Sequence, residues 1–205
     1  MPLSSLFRPR RSHSPADLAA FLHAQAAYVA QKTVLDYCRV KTGRAEKQYF
    51  TDPDFLAALQ HCRWQVFFAA LTDVTALLEA HLRPHTTGPG LMLAQQLAAL
   101  HQTALGAEAP PRNEAAAAAE ASDGVLRHLL ALQDQAPYEA HRLPLLAEPI
   151  LFATLPIHAE QRAGESLAIK GALRFQMVTT QQELERRFDA GKLAVAVIEA
   201  MQPDA

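Results

Sequence analysis

The stretch from residue 53 to residue 83 constrains the fold more than any other part of the chain. Asp52 is a favourable N-cap, and Pro53 suits the first helical position because its missing N–H needs no partner there. Two apolar stripes follow at helical spacing and together cover much more than the ~100° arc of a surface helix. The first stripe consists of Leu56, Leu59, Phe67, Val74 and Leu77. The second consists of Trp64, Phe68, Leu71, Leu78 and Leu82. This pattern predicts the central helix of a bundle.

The residues before this helix predict an antiparallel neighbour. Ser14 and Pro15 repeat the cap-and-proline start, and Gly43 supplies a stop, so we expect a helix over about 15–42. Its apolar face is marked by Leu18, Phe21, Leu22, Val29 and Val40. A third helix, about 91–105, follows a Gly-Pro-Gly turn. We therefore predict a long helical hairpin within an N-terminal bundle, residues 15–106.

The C-terminal half also favours helices. The chain contains 40 Ala and 29 Leu against 9 Val and 4 Ile, and Ala and Leu lose least on entering a helix. Residues 107–121 are alanine-rich and low in complexity, which predicts a linker to a C-terminal helical region, 122–205. One long helix over about 161–190 is marked by Ile169, Leu173, Met177, Thr180, Leu184 and Phe188. The fold class is thus all-α. The alternative is an α+β C-terminal part, with 193–198 as a strand.

No motif for catalysis or for cofactor binding stands out. Gly164–Ala168 resembles a nucleophile elbow, but no histidine follows His158 to serve as its general base. His81 and His85 have ligand spacing, yet Pro84 lies between them and ends the helix. We predict no catalytic residue, no metal and no cofactor. The formal net charge of −2 argues against nucleic acid as a partner.

The hairpin brings charged residues toward its apolar stripes. In an antiparallel hairpin centred near residue 47 or 48, residues whose numbers add up to about 95 face each other. Asp36 then lies within one turn of Arg63, and His23 lies close to Asp73. An ion pair that fixes the helix register is one interpretation. The alternative is a small-molecule enzyme or binding protein with an anion-accepting polar pocket, lined by Lys32, Asp36, Arg39, His61 and Arg63.

Residues 143–157 carry the functional prediction. They are strongly apolar, but Pro144, Pro149 and Pro156 limit them to one or two helical turns at a time. An exposed patch here would bind a protein partner through Leu146, Ile150, Phe152 and Leu155, and we expect Phe152 and Leu155 to be exposed. The alternative is a fully buried strap. We expect a non-enzymatic adaptor or an assembly factor for a larger complex.

Compartment and membrane contact are predicted from the termini and the cysteines. No apolar run approaches the ~20 residues of a membrane span, and no secretion signal is recognisable, so we expect a cytoplasmic protein with Cys38 and Cys62 as buried, reduced thiols. Residues 1–14 are basic and predict a disordered tail. Membrane contact is at most weak and uses Leu6, Phe7, Arg8, Arg10 and Arg11.

Overall fold

The computed structural model describes residues 11–200, which form a bundle of α-helices. Within this range there is no strand, and the backbone makes one isolated β-bridge, between Ser12 and Phe188. The helices are α1 Pro15–Ala30, α2 Asp36–Thr42, α3 Glu46–Tyr49, α4 Pro53–Leu82, α5 Gly90–Leu105, α6 Ala115–Leu132, α7 Ala147–Thr154, α8 Ser166–Arg187 and α9 Ala190–Glu199. The predicted all-α class is confirmed. The segment 193–198, the alternative strand, lies in α9.

Helix α4 is the centre of the bundle, as its two stripes predicted. It packs against α1, α5, α6 and α7, and more lightly against α8 and α9. Every residue from Val66 to Leu82 is buried except Ala69 and His81. Near the start of the helix burial is incomplete, and Leu56 is exposed. The central segment therefore contributes side chains on all sides to one hydrophobic core.

Both helices of the hairpin begin where their caps predicted. Asp52 accepts hydrogen bonds from the backbone N–H groups of Asp54 (2.8 Å) and Phe55 (3.0 Å). Ser14 caps α1 by accepting the N–H of Asp17 at 3.4 Å. Asn and Asp side chains are among the strongest caps because they satisfy N–H groups that the helix leaves unpaired. The start of each long helix is thus specified locally.

The predicted helix 15–42 is interrupted by a π-helical turn. Residues Gln31–Leu35 join α1 to α2 through this turn. A π turn contains one residue more than an α-helical turn. The extra residue rotates the side chains that follow it by about 100° around the helix axis, relative to an uninterrupted α-helix. Val40 is accordingly 81% exposed, so its assignment to the apolar face is wrong.

The C-terminal helices carry the predicted apolar stripe. All six stripe residues of the predicted helix 161–190, from Ile169 to Phe188, are buried. The alanine-rich segment becomes helical at Ala115 and runs on into α6, where Ala118 and Val125 are buried. The hydrophobic core contains residues from both sides of 107–121. The division of the chain into separate domains stays a prediction.

The segment before α1 lies beside the junction of α8 and α9. The N–H of Ser12 donates to the Arg187 carbonyl (2.8 Å), and the Asp189 N–H donates to the Ser12 carbonyl (3.1 Å). Arg11 is exposed. The other residues of the predicted membrane contact, and most of the predicted tail, lie outside the described residues. Between residues 11 and 200, every helix is too short or too polar to cross a bilayer.

Candidate functional site

The apolar, proline-containing segment 143–157 packs across the bundle as a strap. Its helix α7 spans two turns, and Pro149 occupies the third position, where the backbone N–H would have no intrahelical partner. Leu143, Leu151 and Ile157 are buried. The predicted exposure of Leu155 is wrong, because α7 packs along α4 and Leu155 is only 6% exposed. The buried-strap interpretation describes most of the segment.

Phe152 lies on the side of α7 that faces α8. It is half-buried, and the ammonium of Lys170 lies 5.9 Å from its ring centroid. Its carbonyl accepts a hydrogen bond from Arg162 at 3.0 Å. Phe152 is therefore less exposed than predicted, because its side chain packs partly against the hydrophobic core.

A buried carboxylate fixes the start of α7. Asp73, in the middle of α4, accepts hydrogen bonds from the N–H groups of Leu146 (2.9 Å) and Ala147 (3.0 Å). No side chain within α7 caps this end. Full burial raises the pKa of Asp73 to about 7, although the two N–H groups and the nearby Arg174 act in the opposite direction. Asp73 thus serves as an N-cap supplied by a different helix.

Arg174 of α8 secures the loop before α7. Its guanidinium donates to the carbonyl oxygens of Ala140 (2.7 Å) and Leu143 (2.6 Å).

The predicted approach of His23 to Asp73 is wrong. His23 instead bonds through Nδ1 to the Ala104 carbonyl (3.0 Å) and stacks edge-on against Phe67. The polar group next to Asp73 is backbone from a distant segment rather than a side chain of α1.

A mostly apolar groove lies between α4, α6 and α7. We call it the alanine groove; its volume is about 840 Å³. The α4 wall consists of Gln65, Phe68, Ala69 and Thr72, the α6 wall includes Ala116, Ala117, Ala121, Gly124, Val125 and His128, and the α7 wall consists of Leu146, Pro149 and Ile150. Leu146 is 40% exposed and Ile150 is half-buried. Two of the four predicted partner-binding residues therefore line it.

Small side chains keep the alanine groove open. Five of the ten α6 residues that line the groove are small, namely four alanines and Gly124, and these do not reach across to α4 or α7. Alanine has high helix propensity, so α6 forms without large side chains on this face. The alanine run suggested a linker with nothing to bury. The sequence alone does not predict this groove, because a space between helices can be recognised only once the neighbouring helices are positioned.

A buried glutamate anchors the α6 wall to α4. Glu114, at the start of α6, is 1% exposed and accepts hydrogen bonds from His61 (2.7 Å) and Gln65 (2.7 Å). Asn113 donates to the same carboxylate at 3.0 Å. Charged residues of α6, Glu120, Asp123 and Arg127, also border the groove. Burial lowers the pKa of His128, which favours its neutral form in this wall.

The residues of the predicted polar pocket have separate partners. Asp36 pairs with Lys32 at 3.1 Å, one turn away on the same helix, and both side chains are substantially exposed. Arg63 is exposed, so the predicted buried Asp36–Arg63 pair is wrong. Arg39 pairs with Glu46 (3.5 Å), and His61 bonds Glu114. Of the five residues, the structure brings Lys32 and Asp36 together.

Arg63 borders a second, smaller cavity, between α1 and α4. This cavity measures about 190 Å³, and Gln31, Gln60 and Trp64 also line it.

In the described range, no three His, Cys, Asp or Glu side chains come close enough to hold a metal ion.

Both cysteines are buried free thiols, as predicted. Burial raises the pKa of Cys38 to about 12 and that of Cys62 to about 11. The Cys62 sulfur accepts a hydrogen bond from the Thr154 hydroxyl at 3.2 Å, which joins α4 to the end of α7. The thiols are part of the packing beneath the strap.

Comparison of the chain with protein-family models, with curated proteins and with solved structures gives no match.

Proposed function

We propose that this protein is a non-enzymatic helical adaptor or assembly factor that binds a partner protein by receiving an apolar α-helix in the alanine groove. The observation that carries the proposal is the groove itself. It is open and mostly apolar, and its lining includes five alanines together with the partly exposed side chains of Leu146 and Ile150. An apolar surface of this kind usually marks an interaction site.

The shape of the groove favours a helix as its occupant. Its α4 wall is a regular helical face, with Gln65, Phe68, Ala69 and Thr72 at positions i, i+3, i+4 and i+7. Packed helices approach to about 8–10 Å between axes, and small side chains permit the closer distances. A partner helix can therefore place its own apolar anchors between α4 and α6. This is the helix-in-groove mode of recognition.

The walls of the groove are held in place before any partner arrives. Asp73 fixes the start of α7, and Glu114 fixes the start of α6. Walls that are already ordered lose little conformational entropy on binding, which favours affinity. The carboxylates of Glu120 and Asp123 border the groove, so we expect basic residues flanking the apolar face of the partner helix.

The chemistry of the lining supports binding rather than a reaction. Apolar side chains form most of the walls, and the charged groups belong to α6, where Glu120, Asp123 and Arg127 contribute to the border. A small-molecule site would enclose most of its ligand's surface, whereas this groove is open to solvent. The two unpaired cysteines fit a reducing compartment such as the cytoplasm.

The test is to fill the groove. Ala117→Trp places a large side chain in the α6 wall, and Ala115→Trp, on an exposed residue of the same alanine run outside the groove, is the matched control. The tagged proteins are used for quantitative capture from native cells. We expect a partner that is retained by the wild type and by Ala115→Trp but lost by Ala117→Trp, with unchanged thermal midpoints.

A peptide from that partner completes the test. It should become helical on binding and lose at least about tenfold in affinity for Ala117→Trp. A partner that binds all three proteins equally, or a peptide that binds without becoming helical, would contradict the proposal.

A further inference from the structure

The small cavity between α1 and α4 is bordered by two helical faces. We call it the tryptophan cavity; its volume is about 190 Å³. Its residues on α4 are spaced i, i+3, i+4 and i+7, and those on the opposite wall are spaced i, i+3 and i+4, so each set lies on one helical face. The α4 set is Gln60, Arg63, Trp64 and Phe67, and the opposite set is Ala27, Ala30 and Gln31. Helix packing therefore forms most of the wall.

The deeper wall of the tryptophan cavity is apolar. Phe67 and Ala30 are buried, Trp64 is half-buried, and the two aromatic rings meet edge to face with their centroids 5.7 Å apart. Ala27 and Ala30 have short side chains, which leaves space beside the rings. The π turn after α1 begins at Gln31 in the same wall, and such turns are frequent at functional sites. The cavity thus offers an apolar surface that can hold an aliphatic group.

The polar side chains of the cavity have no partner in the part of the chain that the structure describes. Arg63 forms no ion pair and no hydrogen bond there, and neither does Glu108, which lies in the turn after α5 and also lines the cavity. The side-chain amides of Gln31 and Gln60 and the indole N–H of Trp64 are likewise unpaired among the described residues. A cation, an anion and three neutral hydrogen-bonding groups border one small space without satisfying one another.

The charged groups and the apolar wall occupy different depths. Arg63 and Glu108 are exposed, whereas Phe67 and Ala30 are buried. A ligand that fits this arrangement has both charges at one end and an apolar group at the other. The charged end then stays partly hydrated, which avoids the large cost of burying an ion.

We propose that the tryptophan cavity binds a small zwitterion, an α-amino acid with an aliphatic side chain. Arg63 binds the carboxylate, because a guanidinium can donate two parallel hydrogen bonds to it. Glu108 binds the ammonium group, and the ring of Trp64 can add a cation–π contact. The aliphatic side chain packs against Phe67 and the alanines of the opposite wall.

The size of the cavity limits the ligand to this class. A volume of about 190 Å³ is below the ~300–1,000 Å³ of pockets that hold drug-sized ligands, so a nucleotide would be too large. No residue of the tryptophan cavity borders the alanine groove. The inference therefore does not rest on the proposed function.

Fluorescence can report binding directly, because Trp64 is the one tryptophan in the sequence. The full chain is titrated with L-leucine, L-valine and L-alanine, and isothermal titration calorimetry is run in parallel. We expect saturable binding of at least one amino acid, with a dissociation constant below about 1 mM. Its two analogues, the amine without the carboxylate and the carboxylate without the ammonium group, should each bind at least about tenfold more weakly.

Arg63→Gln and Glu108→Gln should each weaken the binding of that amino acid by about tenfold or more. The matched controls are Arg44→Gln and Glu160→Gln, at exposed residues that form no ion pair within the described range and do not line the cavity. They should bind like the wild type. All four positions are exposed, so the thermal midpoints should be unchanged.

Three results would overturn the zwitterion site. The first is no binding of any of the three amino acids up to about 10 mM by either method. The second is an analogue with one charge that binds as tightly as the amino acid. The third is equal affinity of the cavity variants and their controls.

Discussion

Replacing Asp73 with asparagine should change how the stability of the protein depends on pH. The Asp73→Asn side chain has nearly the same size but cannot ionise. In the folded protein, burial raises the pKa of Asp73 from 3.8 to about 7, against the opposing effect of the N–H groups of Leu146 and Ala147. The unfolded chain has no such burial. The carboxyl group thus binds its proton more tightly in the folded state.

The sign and size of the effect follow from linkage. Between pH 4 and pH 7 the folded state holds more protons at this site than the unfolded state, so the site's contribution to the unfolding free energy falls as pH rises. The rise in the pKa from 3.8 to about 7 corresponds to about 4 kcal/mol across that window. The contribution is fully present below pH 4 and is lost as pH rises through about 7.

His101 has the opposite effect over nearly the same range. Burial lowers its pKa from 6.5 to about 4, so its contribution to stability rises with pH. The wild-type curve alone would combine the two slopes. Because Asp73→Asn retains His101, the difference between the two proteins isolates the Asp73 contribution.

The assay is urea unfolding followed by circular dichroism at several pH values between 4 and 8. We expect the stability of the wild type relative to Asp73→Asn to fall by about 4 kcal/mol from pH 4 to pH 7 and to stay level above it. Asp123→Asn, at an exposed carboxyl group on α6, is the control and should change stability by less than about 0.5 kcal/mol. A difference that does not vary with pH would refute the reasoning.

Two further predictions concern buried groups outside the alanine groove. Cys38 and Cys62 should react slowly with a thiol reagent at pH 8, because burial keeps both pKa values far above that pH, and rapid labelling of the native protein would contradict this. Arg83→Ala should lower the unfolding free energy by about 3 kcal/mol or more, because it removes the 2.9 Å partner of the buried Glu79, together with hydrogen bonds to the carbonyls of Leu132 and Gln135. Chemical denaturation should show partial recovery in the Glu79→Gln, Arg83→Ala double variant, and a loss below about 1 kcal/mol would argue against the pair.

The parts of the fold that the sequence predicts well are those specified by neighbouring residues. Asp52 and Ser14 mark helix starts because a cap acts within its own turn. The two stripes of α4 and the single stripe of α8 predict burial because a regular helix repeats its direction every few residues. Val40 departs from its stripe because the π turn before it breaks that repeat, and no residue type marks such a turn.

The interactions of the candidate site depend on distant segments. Asp73 does contact a polar group, as a carboxylate inside an apolar stripe must, but its partners are backbone N–H groups more than seventy residues later in the chain. Helical spacing carries no information about where a loop directs its N–H groups. Glu114 is similar, since its partners come from α4. Leu146 and Ile150 were identified from hydrophobicity alone, while the alanine wall opposite them required the packing of α6.

Cross-linking from inside the alanine groove tests the central claim most directly. A photoreactive amino acid would replace Ala121, in the groove wall, and separately Ala115, outside it on the same helix. The account predicts that illumination in native cells gives a covalent adduct from position 121 but not from position 115. The attached partner segment should carry apolar residues at helical spacing. Equal adducts from both positions, or adducts from position 115 alone, would contradict the assignment of this groove as the binding site.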